Sequence, residues 1–315
     1  NLTALVYSGL LKIKADGSIE NELASDITIS DDKRTYTVTI SDQARFHDGT
    51  PVTADDVVFT IGKITDPLIK SPKRGNWEGV TVEKVDDKTV KFALKKAYTP
   101  FVYNLATGIL PKHIWKNVSD DEFSFSQFNT LPVGSGPYKV EKVERNQGGI
   151  PDYYALTPFE DSIGEVPYIK SLVFRFYPSE TGLIAAYNGG DVESIGGISP
   201  DKIGQLHIKN GKIIQTPLTR IFAVFFNQSK SKVLLQKEVR QALDAAAPKE
   251  EIVESVLSGF GTPIQGPLPA GVYPWTAARA TSTTTDERIE KAGEILANAG
   301  WKPNPNTGIL EKKSG

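Results

Sequence analysis

Apolar and polar residues alternate in the stretch TYTVTI, where Tyr36, Val38 and Ile40 share one side of an extended chain. A period of two residues is typical of a strand that is buried on one face. After an HDG turn at residues 47–49, the apolar residues take a helical spacing, as in Val57, Val58, Ile61 and Ile64. The pattern therefore predicts a strand, a turn and a helix, in that order.

The same region, RFHDGTPVTADDVVFTI (residues 45–61), contains one histidine and three aspartates. These residue types are compatible with a metal site or an acid–base site. They are also compatible with a capped helix, because Thr53 and Asp56 have the spacing of a capping box. Asp55 and Asp56 would face the positive end of the helix dipole, and Asp66-Pro67 would end the helix. We favour the structural interpretation and keep the chemical one as the alternative.

Further along the chain, VTVEKV and TVKFAL flank a turn at residues 86–88 and predict a hairpin. Leu172, Phe174 and Phe176 alternate in a predicted strand, which a helix capped by Ser179 and ended by Gly189-Gly190 follows. If DVESIGGI returns as a strand, residues 168–198 form a βαβ unit. The apolar segment RIFAVFFN (residues 220–227) predicts another strand.

Helical patterns then follow at Val233–Ala246, from Pro248 onward, and at Asp286–Ala299, where Gly300 is the expected stop. The polar segment Ala278–Asp286 predicts a surface loop. Alternating strands and helices place the protein in the α/β class.

The composition limits the possible functions. The 315 residues suggest about two domains, and 36 Lys+Arg against 38 Asp+Glu give a net charge of −2. This balance argues against a nucleic-acid-binding protein, and no apolar run reaches the length of a membrane-spanning helix. The chain has no cysteine, which excludes disulfides and thiolate chemistry within it. It also has no methionine and begins with Asn1, so we expect that an N-terminal segment has been removed.

No catalytic, cofactor or metal site is predicted. His47, His113 and His207 are far apart in sequence, and none has a partner at metal-ligand spacing. Ser135 in GSGPY does not match the nucleophile-elbow pattern, and its glycines suggest a tight turn between domains. The NGG at residues 188–190 ends a helix instead of opening one, so it is not a phosphate loop.

The order of several motifs resembles that of the extracellular solute-binding proteins of family 5, the peptide/nickel-type receptors of ABC importers. The resemblance begins with VYSGLLKIKADGSIENELASDITISDDKRTYTVTISDQARFHDGTPVTADDVVFTI. It continues with GILPKHIW, PVGSGPYKV, YNGGDVESIGGI, FFNQ with KEVRQAL, and IEKAGEILANAGW. Each motif alone is weak, but the ordered set covers almost the whole chain.

The resemblance implies a type II periplasmic-binding-protein fold with an inserted extra domain. Residues 1–12 and 134–220 would form lobe I, residues 13–133 the inserted domain, and residues 221–315 the start of an incomplete lobe II. Family members usually extend beyond both ends of this sequence, and they commonly have an Asp-Arg pair where this chain has Pro248-Lys249. We therefore expect a fragment or a shortened relative.

The same resemblance and the placement of aromatic and polar residues suggest a ligand-binding set: Trp77, Thr107, Gly108, Phe222 and Asn227. Trp77 is either a cleft residue or a packing residue, and Thr107 and Gly108 contact the ligand or connect packed segments. Asn227 either holds the hinge or contacts the ligand. Trp275 is a weaker candidate.

The implied function is that of a receptor, not an enzyme. It would bind a peptide or similar small solute outside the cytoplasmic membrane, close its lobes over it, and deliver it to an ABC permease. No nucleic acid is expected, and the membrane would be reached only through the permease or a lost lipid anchor. The alternatives are a hydrolase that uses Asp or His residues, and a structural or signalling relative that has lost transport.

Overall fold

The computed structural model describes residues 2–164, 166–208, 211–215, 220–264, 266 and 284–312. The chain divides into two units, Asn1–Phe176 (unit 1) and Tyr177–Gly315 (unit 2). The lobe boundaries that the sequence suggests at residues 12/13, 133/134 and 220/221 stay predictions.

Unit 1 contains nine strands and three α-helices among its described residues. The strands are β1 Leu11–Ile13, β2 Ile19–Asn21, β3 Ala24–Ile29, β4 Thr35–Ile40, β5 Val80–Lys84, β6 Thr89–Leu94, β7 Tyr138–Arg145, β8 Pro151–Pro158 and β9 Leu172–Arg175. The α-helices are α1 Leu2–Val6, α2 Ala54–Thr65 and α3 Lys112–Trp115. Short 3₁₀ helices occupy Arg74–Trp77, Thr99–Ala106, Phe123–Phe125 and Gln127–Asn129.

The main core of unit 1 lies between an antiparallel sheet and α2. The sheet has the strand order β3-β4-β6-β5. Tyr36, Val38 and Ile40 are almost fully buried, which confirms the alternation predicted for β4. Helix α2 adds Val57 and Ile61 to the same core, and the predicted hairpin is confirmed as β5–β6.

The start of α2 confirms the predicted turn and cap. Gly49 has φ +85°, a backbone conformation that favours glycine. The Asp56 carboxylate accepts hydrogen bonds from the Thr53 amide (2.9 Å) and the Thr53 hydroxyl (2.8 Å). At the other end, Asp66 is the C-cap with an extended backbone. The helix therefore begins and ends where local sequence chemistry predicts.

A second antiparallel sheet, β7-β8-β9, forms the other part of unit 1. Val6, at the end of α1, packs against Tyr138 and Leu156 of this sheet. The amide of Phe176 still bonds to the Asp152 carbonyl oxygen (3.0 Å), although β9 ends one residue earlier. The first residues of the chain are thus held against strands that follow much later in sequence.

Unit 2 is mainly helical in its described residues. Its helices are α4 Glu180–Gly189, α5 Lys232–Leu235, α6 Lys237–Ala246, α7 Lys249–Leu257 and α8 Thr285–Asn298, and its strands are β10 Lys302–Pro303 and β11 Leu310–Glu311. Ser179 caps α4, and Gly190 and Gly300 follow α4 and α8 with positive φ, as predicted. Residues 278–283 of the predicted surface loop lie outside the described residues. None of the described helices combines the length and apolar character needed to cross a membrane.

The predicted βαβ unit at residues 168–198 is wrong. Strand β9 runs antiparallel to β8, and residues 191–198 contain no strand. The chain after α4 is held instead by side chains, because the Glu180 carboxylate accepts bonds from the Ser199 hydroxyl (3.1 Å) and the Lys202 ammonium (2.6 Å).

The predicted strand at residues 220–227 is also wrong. These residues have no regular secondary structure, and Phe222, Val224 and Phe225 are 77%, 82% and 90% exposed. A strand requires a neighbour for its amide and carbonyl groups, and the described residues place none beside this segment. Apolar composition alone was therefore insufficient to define a strand.

Candidate functional site

Three glycine-containing segments that are distant in sequence meet in unit 1. They are residues 5–9, 106–109 and 134–136, and we call their meeting point the crossing. The Gly136 amide donates to the Val6 carbonyl oxygen (2.8 Å), and the Ile109 amide donates to the Ser8 carbonyl oxygen (2.9 Å). The first segment is therefore bonded to the other two through main-chain groups.

Two glycines allow this close approach. A β-carbon on Gly134 would overlap the carbonyl oxygen of Val6, and one on Gly136 would overlap that of Leu5. Neither glycine has a positive φ. The two glycines of GSG are therefore needed for close main-chain contact, and the turn between domains predicted for them stays a prediction.

The side chain of Tyr7 lies between two of the segments. A β-carbon on Gly108 would come within 2.7 Å of Tyr7 Cβ, and one on Gly134 within 3.1 Å of Tyr7 Cδ1. Burial raises the pKa of Tyr7 to about 12, so its phenol stays protonated at neutral pH. Tyr7 was not among the residues selected from the sequence. The glycines in all three segments were the available signal, because glycine is common where a main chain lies directly against another group.

Glu22 anchors the first segment from another side. Its carboxylate accepts hydrogen bonds from the Ser8 hydroxyl (2.9 Å) and the Gly9 amide (3.1 Å). Burial raises the pKa of Glu22, and this effect outweighs the two hydrogen bonds, which act in the opposite direction. The crossing thus contains a partly buried acid that favours the protonated form more than an exposed glutamate does.

His47 holds the segment 134–136. Its amide donates to the Gly134 carbonyl oxygen (2.8 Å), and the Gly134 amide donates to its Nδ1 (3.2 Å). Nε2 lies 3.1 Å from the Gly136 carbonyl oxygen. Because Nδ1 accepts a hydrogen bond, the ring proton is on Nε2 and the ring is neutral. Both nitrogens are therefore used for positioning the main chain.

Two of the sequence-predicted ligand residues, Thr107 and Gly108, lie in the crossing. Thr107 is 9% exposed, and its hydroxyl accepts a long hydrogen bond from the Lys73 ammonium (3.5 Å). Among the described residues, no carboxylate forms an ion pair with Lys73. The crossing therefore brings a hydroxyl, a partly buried glycine main chain and a cation into one region.

Trp77 is packed under this region. It is 2% exposed, and its ring meets Phe101 edge-on with the ring centres 5.6 Å apart. With Leu105 and Thr107 it borders a narrow, mainly apolar recess that has no space for a water molecule. This position is that of a packing residue, and its direct contact with a ligand stays a prediction.

The remaining candidates belong to unit 2. Phe222 is highly exposed, and the Asn227 side-chain oxygen accepts a bond from the Lys230 amide (3.2 Å), as in a turn. Their ligand roles stay predictions. Trp275 lies outside the described residues.

The aspartates near α2 have structural partners. Asp55 forms ion pairs with Lys84 (2.5 Å) and Lys112 (2.7 Å), and these hydrogen-bonded partners lower its pKa to about 2. The second oxygen of Asp56 accepts a bond from the Lys112 amide (2.8 Å). In the part of the chain that the structure describes, no group of three metal-ligating side chains comes together. The contacts of Asp55 and Asp56 are therefore those that the structural interpretation predicts for the start of a helix.

Comparison with known proteins identifies a family. The model of the bacterial extracellular solute-binding proteins, family 5 Middle, matches residues 18–314. The chain is 32% identical over 313 residues to the oligopeptide-binding protein AppA of Bacillus subtilis, covering 98% of this chain and 56% of that protein. It therefore spans about half the length of this relative.

Solved structures show the same similarity in three dimensions. The structure of AppA from Bacillus subtilis in complex with a nonapeptide matches with a TM-score of 0.68 and 30% identity, covering 99% of this chain and 61% of that one. NikZ from Campylobacter jejuni in complex with Ni(L-His) also matches with a TM-score of 0.68, at 27% identity, covering 98% of this chain and 60% of that one. The family match thus extends to the fold.

Proposed function

Because the chain belongs to the bacterial extracellular solute-binding proteins of family 5, we propose that it is part of the substrate-binding receptor of an ABC importer. The family has the type II periplasmic-binding-protein fold, an α/β fold in which a ligand binds between two lobes. The observation that carries the proposal is the family match, which extends over nearly the whole chain. Ligand binding would favour the closed arrangement of the lobes and so present the receptor to its permease.

A peptide is the ligand class that we propose. AppA, which is similar over almost all of this chain, was solved with a nonapeptide. A peptide offers amide groups and a terminal carboxylate, which suit the Thr107 hydroxyl and the Lys73 ammonium at the crossing. Another small solute that carries a carboxylate is the nearest alternative within the same function.

The proposed ligand-binding set remains Trp77, Thr107, Gly108, Phe222 and Asn227. Thr107 would contribute its hydroxyl and Gly108 its main chain, while Trp77 would pack beneath them and hold them in place. Phe222 has a ring free to cover an apolar side chain, and Asn227 carries an amide suited to a peptide group. No residue is assigned a catalytic role.

The receptor would work outside the cytoplasmic membrane, with the permease as its partner and no cofactor. Family 5 proteins are substrate-binding proteins and not enzymes. In this chain, the best acid–base candidates are occupied in positioning the backbone: Asp56 caps α2, and His47 holds residues 134–136.

The test is binding of a nonapeptide to the full-length protein, measured by native mass spectrometry and calorimetry. We expect one bound peptide, unaltered in mass, with affinity weakened by about 1 kcal/mol in Thr107→Val if one neutral hydrogen bond to the ligand is lost. Thr81→Val is the matched control, because Thr81 is an exposed threonine on the edge strand β5. Cleavage of the peptide would favour the hydrolase alternative, and binding of a nickel complex without any peptide would contradict the proposed ligand class.

A further inference from the structure

We propose that His47 is a pH-sensitive pin of the crossing. Its neutral ring holds residues 134–136 against the first segment, and protonation of Nδ1 in a mildly acidic medium releases them and weakens ligand retention at Thr107 and Gly108. The ligand part of this inference rests on the proposed function. The release of residues 134–136 does not.

The pin follows from the hydrogen-bond chemistry of the ring. A proton taken from water binds the ring's one unprotonated nitrogen, Nδ1, and turns this acceptor into a donor. The Gly134 amide is also a donor, so the bond between them (3.2 Å) is lost. The bond from Nε2 to the Gly136 carbonyl oxygen can persist, because Nε2 keeps its proton. Protonation therefore removes one of the two ring contacts and introduces a charge beside two glycines.

The surroundings of the ring disfavour that charge. Burial lowers the pKa of His47, the bond to Gly136 raises it, Lys139 on β7 lowers it and the adjacent Asp48 raises it, with a net decrease. Asp48 is itself paired with His113 (2.7 Å). The ring of Phe159 covers another side, with the ring centres 5.0 Å apart.

The sign of the pH effect follows from this decrease. An unfolded histidine titrates near pH ~6.5, whereas folded His47 takes up its proton only at lower pH. Its contribution to stability is therefore fully present above the unfolded pKa and declines as the pH falls below it. The crossing should loosen on acidification and not on alkalinisation.

Direct contacts connect the pin to the proposed ligand residues. Residues 134–136 are bonded to Val6, and Tyr7 lies between Gly134 and Gly108. If residues 134–136 move away, Tyr7 loses the support on one side that holds it against Gly108. The main chain next to Thr107 then becomes freer, and a bound ligand should dissociate faster.

The first test measures amide hydrogen exchange of residues 134–138 in the full-length protein at about pH 7.5 and about pH 5.5, corrected for intrinsic rates. We expect protection to fall in the wild type by up to about tenfold, because about pH 5.5 lies roughly one unit below the titration of an unfolded histidine. In His47→Gln, which keeps a donor but does not titrate, protection should not depend on pH. His113→Gln, which removes the nearby histidine paired with Asp48, should behave like the wild type.

Wild-type protection that is equal at both pH values would overturn the pin, as would a full pH effect in His47→Gln. If His47→Gln does not fold, an NMR titration of the wild type decides instead. The chemical shift of the Gly134 amide should then change with pH at the same midpoint as that of the His47 ring. A Gly134 chemical shift that does not change at this midpoint would refute the proposal.

The second test measures nonapeptide dissociation at the same two pH values. We expect several-fold faster dissociation at the lower pH in the wild type but not in His47→Gln. If residues 134–138 are released while dissociation is unchanged, the coupling to the ligand site is wrong. If the peptide binds at neither pH, the proposed peptide function is wrong. The exchange measurement still tests whether protonation of His47 releases residues 134–136.

Discussion

The main chain of Gly134 runs against the carbonyl oxygen of Val6, leaving no space for a β-carbon between them. The neighbouring amide of Gly136 bonds to the same oxygen at 2.8 Å. One carbonyl group at the end of α1 therefore fixes the path of a segment that precedes β7. This contact joins the first residues of the chain to the second sheet.

We predict that Gly134→Ala lowers the free energy of unfolding by roughly 1–3 kcal/mol, the usual cost of overpacking. The neighbouring main chain cannot move aside without straining the hydrogen bond between Gly136 and Val6. Urea unfolding of the full-length protein measures the change. Gly62→Ala is the control, because Gly62 lies inside α2 with open space around its Cα, and alanine should stabilise that helix by up to about 1 kcal/mol. A Gly134→Ala protein as stable as the wild type would show that the close approach is not required.

Replacing Asp56 by asparagine should destabilise the protein by about 1 kcal/mol, because its carboxylate accepts three bonds that hold the start of α2 and of α3. Asp55→Asn should cost less, since its ion pairs are partly exposed and screened. Neither change should alter ligand affinity. A tenfold weaker affinity at unchanged stability would instead support the chemical interpretation of this motif.

The pH dependence of Asp55 provides a check on the same network. Its pKa of about 2 lies below that of an unfolded aspartate, so its ion pairs contribute fully above pH ~3.9. The contribution is then lost as the pH falls toward the folded value. Asp55→Asn should therefore lower stability near neutral pH but not at the acid end of this window, as measured by urea unfolding at a series of pH values.

The sequence predicted the α2 cap because all its determinants are local. Thr53 and Asp56 are three residues apart, and their hydrogen bonds form within a single turn of chain. The hairpin β5–β6 was predictable for the same reason. Residues 220–227 failed because a strand is defined by its neighbour, and an apolar pattern contains no information about which neighbour is present.

The crossing was only partly predictable. Thr107 and Gly108 were selected through the family resemblance, and the structure places both of them there. Tyr7, Glu22 and His47 were missed as parts of one site because their contacts join segments that are far apart in sequence. A single sequence does not show which distant segments meet. The only local sign of these contacts is the set of glycines in the three segments.

Glu22→Gln should leave stability unchanged or raise it near neutral pH. Burial raises the pKa of Glu22, so its charged form is disfavoured in the folded protein. Glutamine carries no charge and keeps an acceptor for the Ser8 hydroxyl. The Gly9 amide loses its acceptor, and removal of the disfavoured charge offsets this loss. As the pH falls toward the raised pKa, the wild type gains stability relative to the variant and the difference should narrow. Glu20→Gln, two residues earlier on β2 and exposed, is the control, and urea unfolding at several pH values distinguishes the two.

The final prediction separates packing from ligand support at Trp77. Trp77→Ala would remove a buried ring that packs against Phe92 and Phe101, and it should cost about 3–5 kcal/mol of stability. Such a loss would obscure any change in affinity, so Trp77→Phe is the better variant. Trp115→Phe is the matched control, because Trp115 is equally buried and packs in another aromatic cluster, with Phe123 and Phe128.

Both phenylalanine variants should lower the melting temperature. If Trp77 supports Thr107 beneath the ligand, only Trp77→Phe should also weaken nonapeptide affinity. We expect a loss of roughly 1 kcal/mol in binding free energy, the value above which a residue is counted as contributing to binding. Calorimetry on the folded full-length proteins measures this difference directly. Equal affinities in the two variants would assign Trp77 to packing alone, because the recess it borders with Leu105 and Thr107 would then serve only the core.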